Sequence, residues 1–176
     1  VDTGVSFTLG TAGSGPTLDV ISGNITGGGT LVNESEIVHD NAGTFSVTSF
    51  VNSNGGTLDH ADGALAVTSA FDNQANSVLF VNKTTSNTEI SFTNDFTNSG
   101  LIKFDGANQG SITVGGGTGT LTNSASGTIQ ILDGTNAIDG TVVSNGQLEV
   151  TGSGVLNLGS AFVSNSGATV TIGDGT

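Results

Sequence analysis

A chain of 176 residues that is 34 % hydrophobic can bury a core of its own, so a disordered chain is not the expectation. Only two basic residues, Lys83 and Lys103, stand against 15 acidic ones, and the resulting net charge of −13 argues against phosphate backbones and anionic lipid heads as partners. No stretch approaches the roughly 18 consecutive apolar residues of a membrane-spanning helix, and nucleic-acid binding and membrane insertion are both left out.

From the start of the chain the pattern is alternation with period two, the mark of half-buried strands. Val5, Phe7 and Leu9 alternate with Ser6 and Thr8. Further on, Ile90 and Phe92 flank Ser91, Ile102 and Phe104 flank Lys103, and Ile112 and Val114 flank Thr113. The series continues through Ile129 and Ile131, Leu148 and Val150, Leu156 and Leu158, to Val170 and Ile172, with Gln130, Glu149, Asn157 and Thr171 assigned to solvent. Clusters such as Gly27-Gly28-Gly29, Gly55-Gly56 and Gly115-Gly116-Gly117 separate these short runs and read as turns. No segment carries a 3.6-residue period, so almost no helix is expected.

A second pattern runs through the first. A large apolar residue, one spacer and then asparagine recur at Leu31-Val32-Asn33, Phe50-Val51-Asn52, Phe71-Asp72-Asn73, Phe96-Thr97-Asn98, Leu121-Thr122-Asn123, Val143-Ser144-Asn145 and Val163-Ser164-Asn165. The steps between these asparagines average about 22 residues, the signature of a solenoid with corners of variable length. In a strand, residues i and i+2 share a face, so an inward apolar side chain puts the asparagine inward as well. An inward amide is costly unless bonded, and stacked coils satisfy it by bonding each amide to the next along the axis. The expected structure is an all-β parallel β-helix of roughly eight coils, formed by residues 1–176 as one domain. Its structural ladder is Asn33, Asn52, Asn73, Asn98, Asn123, Asn145 and Asn165, beside an apolar column of Leu31, Phe50, Phe71, Phe96, Leu121 and Val143.

The stretch Gly127-Thr128-Ile129-Gln130-Ile131-Leu132-Asp133-Gly134-Thr135-Asn136-Ala137-Ile138-Asp139-Gly140-Thr141-Val142-Val143-Ser144-Asn145-Gly146-Gln147-Leu148-Glu149-Val150 resembles the autotransporter-associated β-strand repeat. That repeat runs through paired aliphatics, a Gly-x-Asn turn, an aromatic, a Gly-Thr-x-Val segment and a final Gly-x-Leu. Ile138 departs from it, standing where the family usually has Tyr, and the middle segment is about one residue shorter. About 24 residues match well. The resemblance implies the passenger β-helix of a bacterial autotransporter or a large secreted adhesin, with a right-handed coil and an extracellular or cell-surface location.

Candidate chemistry is sparse. Asp105-Gly106-Ala107-Asn108 and Asp133-Gly134-Thr135-Asn136 repeat a D-G-x-N pattern whose carboxylate and amide oxygens suit calcium, while the same Asp-Gly pairs also make tight turns. His39 and His60 are 21 residues apart, close to one coil, and two imidazoles on adjacent coils with flanking carboxylates are a donor set for a transition metal. Their offsets from the preceding ladder asparagines differ, six against eight, so the expectation is separate columns and exposed turns. N-x-S/T matches at Asn24, Asn33 and Asn82 are read as chance in a chain so rich in Asn, Ser and Thr. There is no Arg, and neither Lys stands in a recurring acidic constellation, so catalysis is not expected. No cofactor other than calcium is implied.

The functional expectation is a non-catalytic structural rod, stalk or fibre segment of a bacterial surface adhesin or appendage. Its partners would be other copies of itself end to end, or a flanking β-helix of the same chain. The alternative is a carbohydrate-binding or carbohydrate-cleaving β-helix of the tailspike type.

Overall fold

Parallel strands leave no orphaned backbone only when each finds a neighbour on both sides, and short strands separated by glycine corners achieve this by coiling. The computed structural model, which describes residues 2, 4–81 and 87–173, is such a coil. Three parallel sheets of eight, eight and seven strands are stacked as a β-solenoid of about 8 turns, the turns about 21 residues apart. The single helical turn among the described residues is a 3-10 turn at Gly115–Gly117.

The first sheet contains Ser6–Gly10, Thr30–Glu34, Ser49–Asn52, Ala70–Asn73, Phe96–Asn98, Thr120–Asn123, Thr141–Ser144 and Phe162–Ser164, and each of these strands opens one coil, numbered 1 to 8. The second sheet runs from Thr17–Val20 through Glu36–His39, Thr57–His60, Val78–Val81, Leu101–Phe104, Thr128–Ile131 and Gln147–Val150 to Thr169–Ile172. The third runs from Gly23–Thr26 through Gly43–Ser46, Gly63–Val67, Thr88–Phe92, Gly110–Val114 and Thr135–Asp139 to Val155–Leu158.

Because the registers are parallel, like residues stack into columns that run along the axis. Ile37, Leu58, Leu79, Ile102, Ile129 and Leu148 form one such column, all of them buried. Leu65, Ile90, Ile112 and Ile138 form another on the third sheet. Phe45, Phe50, Phe71, Phe92 and Phe96 fill the middle of the core, with centroid distances from 4.3 Å for Phe92 and Phe96 to 5.6 Å for Phe45 and Phe50. Such aromatic pairs add to the burial of their apolar area. Phe80 is the aromatic that turns outward, under the Lys103 ammonium 5.4 Å from its ring centre.

The end coils are less covered. Val5 and Phe7 are 52 % and 50 % exposed at one end, and Val170 and Ile172 are 43 % and 73 % exposed at the other, although their alternation assigns them to the core. Among the described residues no further coil closes over their columns.

Corner length is where the coils differ. Between Asn33 and the second sheet coil 2 has Glu34 and Ser35, whereas between the paired Asn52 and the second sheet coil 3 has Ser53, Asn54, Gly55 and Gly56, with Asn54 and Gly55 both at positive φ. The two extra residues change the chain count and leave the strand register intact.

Candidate functional site

The ladder is built by five asparagines, Asn33, Asn52, Asn73, Asn98 and Asn123, each with no exposed surface. Each amide nitrogen donates to the Oδ1 of the next, at 2.8, 2.9, 2.7 and 2.8 Å along the series. The same nitrogens also donate to backbone carbonyls at the start of the second sheet, Thr57, Val78, Leu101 and Thr128. Every amide points its NH2 group the same way, towards coil 8. Side chains satisfied on both atoms hold the corner rigid and offer neither a nucleophile nor a free acceptor.

Beyond Asn123 the ladder departs from the sequence expectation. Asn123 pairs with Ser144, not Asn145, and Leu121 with Val142, not Val143. Val142 is buried, Val143 is only partly covered, and Asn123 Nδ2 donates to the Ser144 hydroxyl at 3.3 Å. In coil 8 the same columns carry Phe162 and Ser164 in place of Val163 and Asn165. Asn165 instead donates to Asn145 at 2.8 Å on the exposed surface.

The reason lies one step further round the coil. In coils 2 to 7 the position before the second-sheet strand is held by Ser35, Gly56, Ser77, Gly100, Gly127 and Gly146, all glycine or serine. A Cβ at Gly127 would stand 2.3 Å from Asn123 Oδ1 and 2.4 Å from the Asn98 carbonyl. A Cβ at Gly146 would be 2.2 Å from the Gly127 carbonyl. If Asn145 took the ladder position, the corner would advance by one residue and bring Gln147 into this space. The register with Ser144 inward avoids that clash, and a slip by one residue reverses every side chain.

The histidines also depart from expectation. His39 and His60 are partners in register and have no exposed surface, because the longer corner of coil 3 absorbs the difference in their offsets. They occupy a column whose other members, Val20, Val81, Phe104, Ile131, Val150 and Ile172, are apolar. Their Nδ1 atoms are 3.2 Å apart, and His60 Nε2 is 3.1 Å from the Gly63 carbonyl. His39 Nε2 is buried without a hydrogen-bond partner, and its ring meets Phe45 edge-on at 5.5 Å. Gly43 makes room for that ring, since a Cβ there would sit 2.4 Å from His39 Nε2. Burial lowers the pKa of both rings; His60 lowers that of His39 further, whereas contacts to the Gly63 and His39 carbonyls partly offset the effect on His60. Both imidazoles are therefore neutral in the folded protein near pH 7. As a metal donor set the pair supplies two nitrogens, and no group of three or more His, Cys, Asp or Glu gathers anywhere among the described residues.

The two D-G-x-N segments stack, with Gly134 over the backbone of Gly106 and Asn108, but they are not equivalent in register. Phe104 pairs with Ile131, so Asp105 falls opposite Leu132 rather than Asp133. Asp105 is bridged to Lys103 at 2.7 Å. Asp133 accepts from the Gly134 N–H at 2.8 Å and from the Ser153 hydroxyl, two bonds that hold its carboxyl below the usual range. Asn136 is buried, accepting from Gly110 N at 3.1 Å and donating to the Asp133 carbonyl at 2.8 Å. Of the four residues considered for calcium, Asp105 thus serves a salt bridge and Asp133 and Asn136 close a turn, with Asp105 and Asp133 one place apart in register.

Of the sequon asparagines, Asn33 is sealed inside the ladder, Asn24 is exposed with its Oδ1 accepting from Thr44 N at 2.9 Å, and Asn82 lies outside the described residues.

No family model matches the chain, and neither a curated protein nor a solved structure matches it.

Proposed function

We propose that this chain is a structural rod, an extracellular stalk or fibre segment of a bacterial surface adhesin or appendage, without catalysis of its own. The observation that carries this reading is the uninterrupted stacking: three sheets and their core columns run the whole described length, with an amide ladder inside one corner from coil 2 to coil 7. To open one inner coil, the bonds to both neighbours must break together, which favours resistance to force and proteolysis. The net charge of −13 keeps such a rod soluble and poorly adhesive. The resemblance to the autotransporter-associated repeat supports the same assignment and the surface location.

The end coils point to how the rod continues. Their outer strands have one edge without a partner among the described residues, and Val5, Phe7, Val170 and Ile172 are exposed there. On this reading further coils cover both faces, from the same chain or from another copy.

Electron microscopy of the purified chain, with and without calcium, tests the proposal. Eight coils at a spacing of about 4.8 Å give a rod about 38 Å long. Discrete rods of that length, or filaments built from them, are expected, and calcium should change neither. Hydrolysis of a polysaccharide in an activity screen would overturn the non-catalytic reading in favour of a tailspike-like enzyme.

A further inference from the structure

Where the third sheet begins, a corner pocket of about 200 Å³ crosses coils 4 to 7. Asn87, Thr88, Gln109, Ser111, Thr135 and Asn157 supply polar side chains of its wall, and no ionisable residue lines it among the described residues. On a chain of net charge −13, a wall made only of carboxamides and hydroxyls is a local exception.

Several of these groups are unspent. Thr88 is 3 % exposed, and its Oγ1 has no hydrogen-bond partner. Among the described residues the side chains of Gln109, Thr135 and Asn157 make no hydrogen bond. Asn87 accepts from Gln109 N at 3.3 Å through its Oδ1, and its NH2 group has no partner among the described residues. Ser111 donates to the Thr88 carbonyl at 3.5 Å, the outer limit of a hydrogen bond. Asn136, by contrast, is fully engaged with backbone and fixes the shape of the corner.

The chemistry selects a class of ligand by elimination. A cation needs carboxylates, and the wall has none among the described residues. An anion is repelled by the net charge. A peptide would add to a sheet edge, but the strands Thr88–Phe92, Gly110–Val114 and Thr135–Asp139 are paired on both sides within the sheet. An apolar ligand would leave these donors and acceptors unpaired. A neutral, polyhydroxylated ring offers both donors and acceptors to match them. The volume lies below the roughly 300–1,000 Å³ of drug-sized sites, which suits one ring with the rest of a chain in solvent.

We propose that this corner binds a single neutral sugar residue of a glycan, so that the rod carries a recognition site on its side. The site does not depend on the stalk assignment.

Two-dimensional amide NMR of the full chain tests it. The probes are the methyl glycosides of glucose, galactose, mannose and N-acetylglucosamine, with methyl glucuronide as the charged comparator, each up to about 50 mM. At least one neutral glycoside is expected to shift the side-chain amide signals of Asn87, Gln109 and Asn157, with a Kd of millimolar order. Gln109 and Asn157 are exposed, so Gln109→Ala and Asn157→Asp should leave the unfolding midpoint unchanged while weakening binding at least about fivefold. The proposal is overturned if no neutral glycoside moves these signals, which would mean water alone fills the corner. It is equally overturned if methyl glucuronide binds as well as the neutral sugars, or if both variants bind as the parent does.

Discussion

The Nδ1 atoms of His39 and His60 face each other at 3.2 Å inside the core, on adjacent coils and with no exposed surface. Their pKa values are lowered on folding, chiefly by burial, so the unfolded chain binds more protons near its ordinary value of 6.5. Stability is then complete above about pH 6.5 and falls as pH drops through the lower folded values, by up to about 1.4 kcal/mol per pH unit for each ring that stays neutral. Urea unfolding between about pH 7.5 and 5 should show this slope. A His39→Leu, His60→Leu double variant should flatten it; an unchanged slope would place the proton uptake elsewhere.

Asn98 stands in the middle of the ladder, accepting from Asn73 and donating to Asn123 and to the Thr128 carbonyl. Asn98→Leu would leave a buried donor and acceptor unpaired and should cost about 2–4 kcal/mol in chemical denaturation. Leu9 precedes Asn33 in the same column, so Asn33→Leu at that apolar end should cost less.

The register of coil 7 separates Val142 from Val143. Val142 is 1 % exposed, so Val142→Asp should prevent folding at ordinary temperature. Val143 points outward, and Val143→Asp should change stability by no more than about 0.5 kcal/mol. Circular dichroism of the two variants decides it: the opposite ranking would restore Asn145 to the ladder.

Gly127 and Gly116 are glycines for different reasons. A Cβ at Gly127 meets the Asn98 carbonyl, which is backbone and cannot move alone, so Gly127→Ala should lose about 2 kcal/mol or more. Gly116 has open space around it and a φ of +62°, so Gly116→Ala should cost only the left-handed backbone penalty, about 1 kcal/mol. Thermal unfolding of both variants measures the difference.

Much of this architecture was legible in the sequence. The inward set from Ile90 to Leu148 follows from period-two alternation, and the stacking of Asn33, Asn52, Asn73, Asn98 and Asn123 follows from the repeated apolar-x-Asn spacing. The column of Ser35, Gly56, Ser77, Gly100, Gly127 and Gly146 carried a readable signal, a glycine or serine two or four residues after each ladder position, and it was the clue to Ser144. The neutral corner at Thr88 had no such signal, because its walls come from four coils and unremarkable Asn, Gln, Ser and Thr residues.

Alternation and repetition are local properties, set by the pleat of a strand and by the need to bond an inward amide, so the sequence alone determined a coiled all-β chain with an asparagine corner. Which residues meet across coils was decided only in three dimensions. His39 and His60 share a column, and Val142 rather than Val143 enters the core, because backbone hydrogen bonds hold the strands in register while corners of unequal length absorb the surplus residues, and that length is invisible until the coils are stacked.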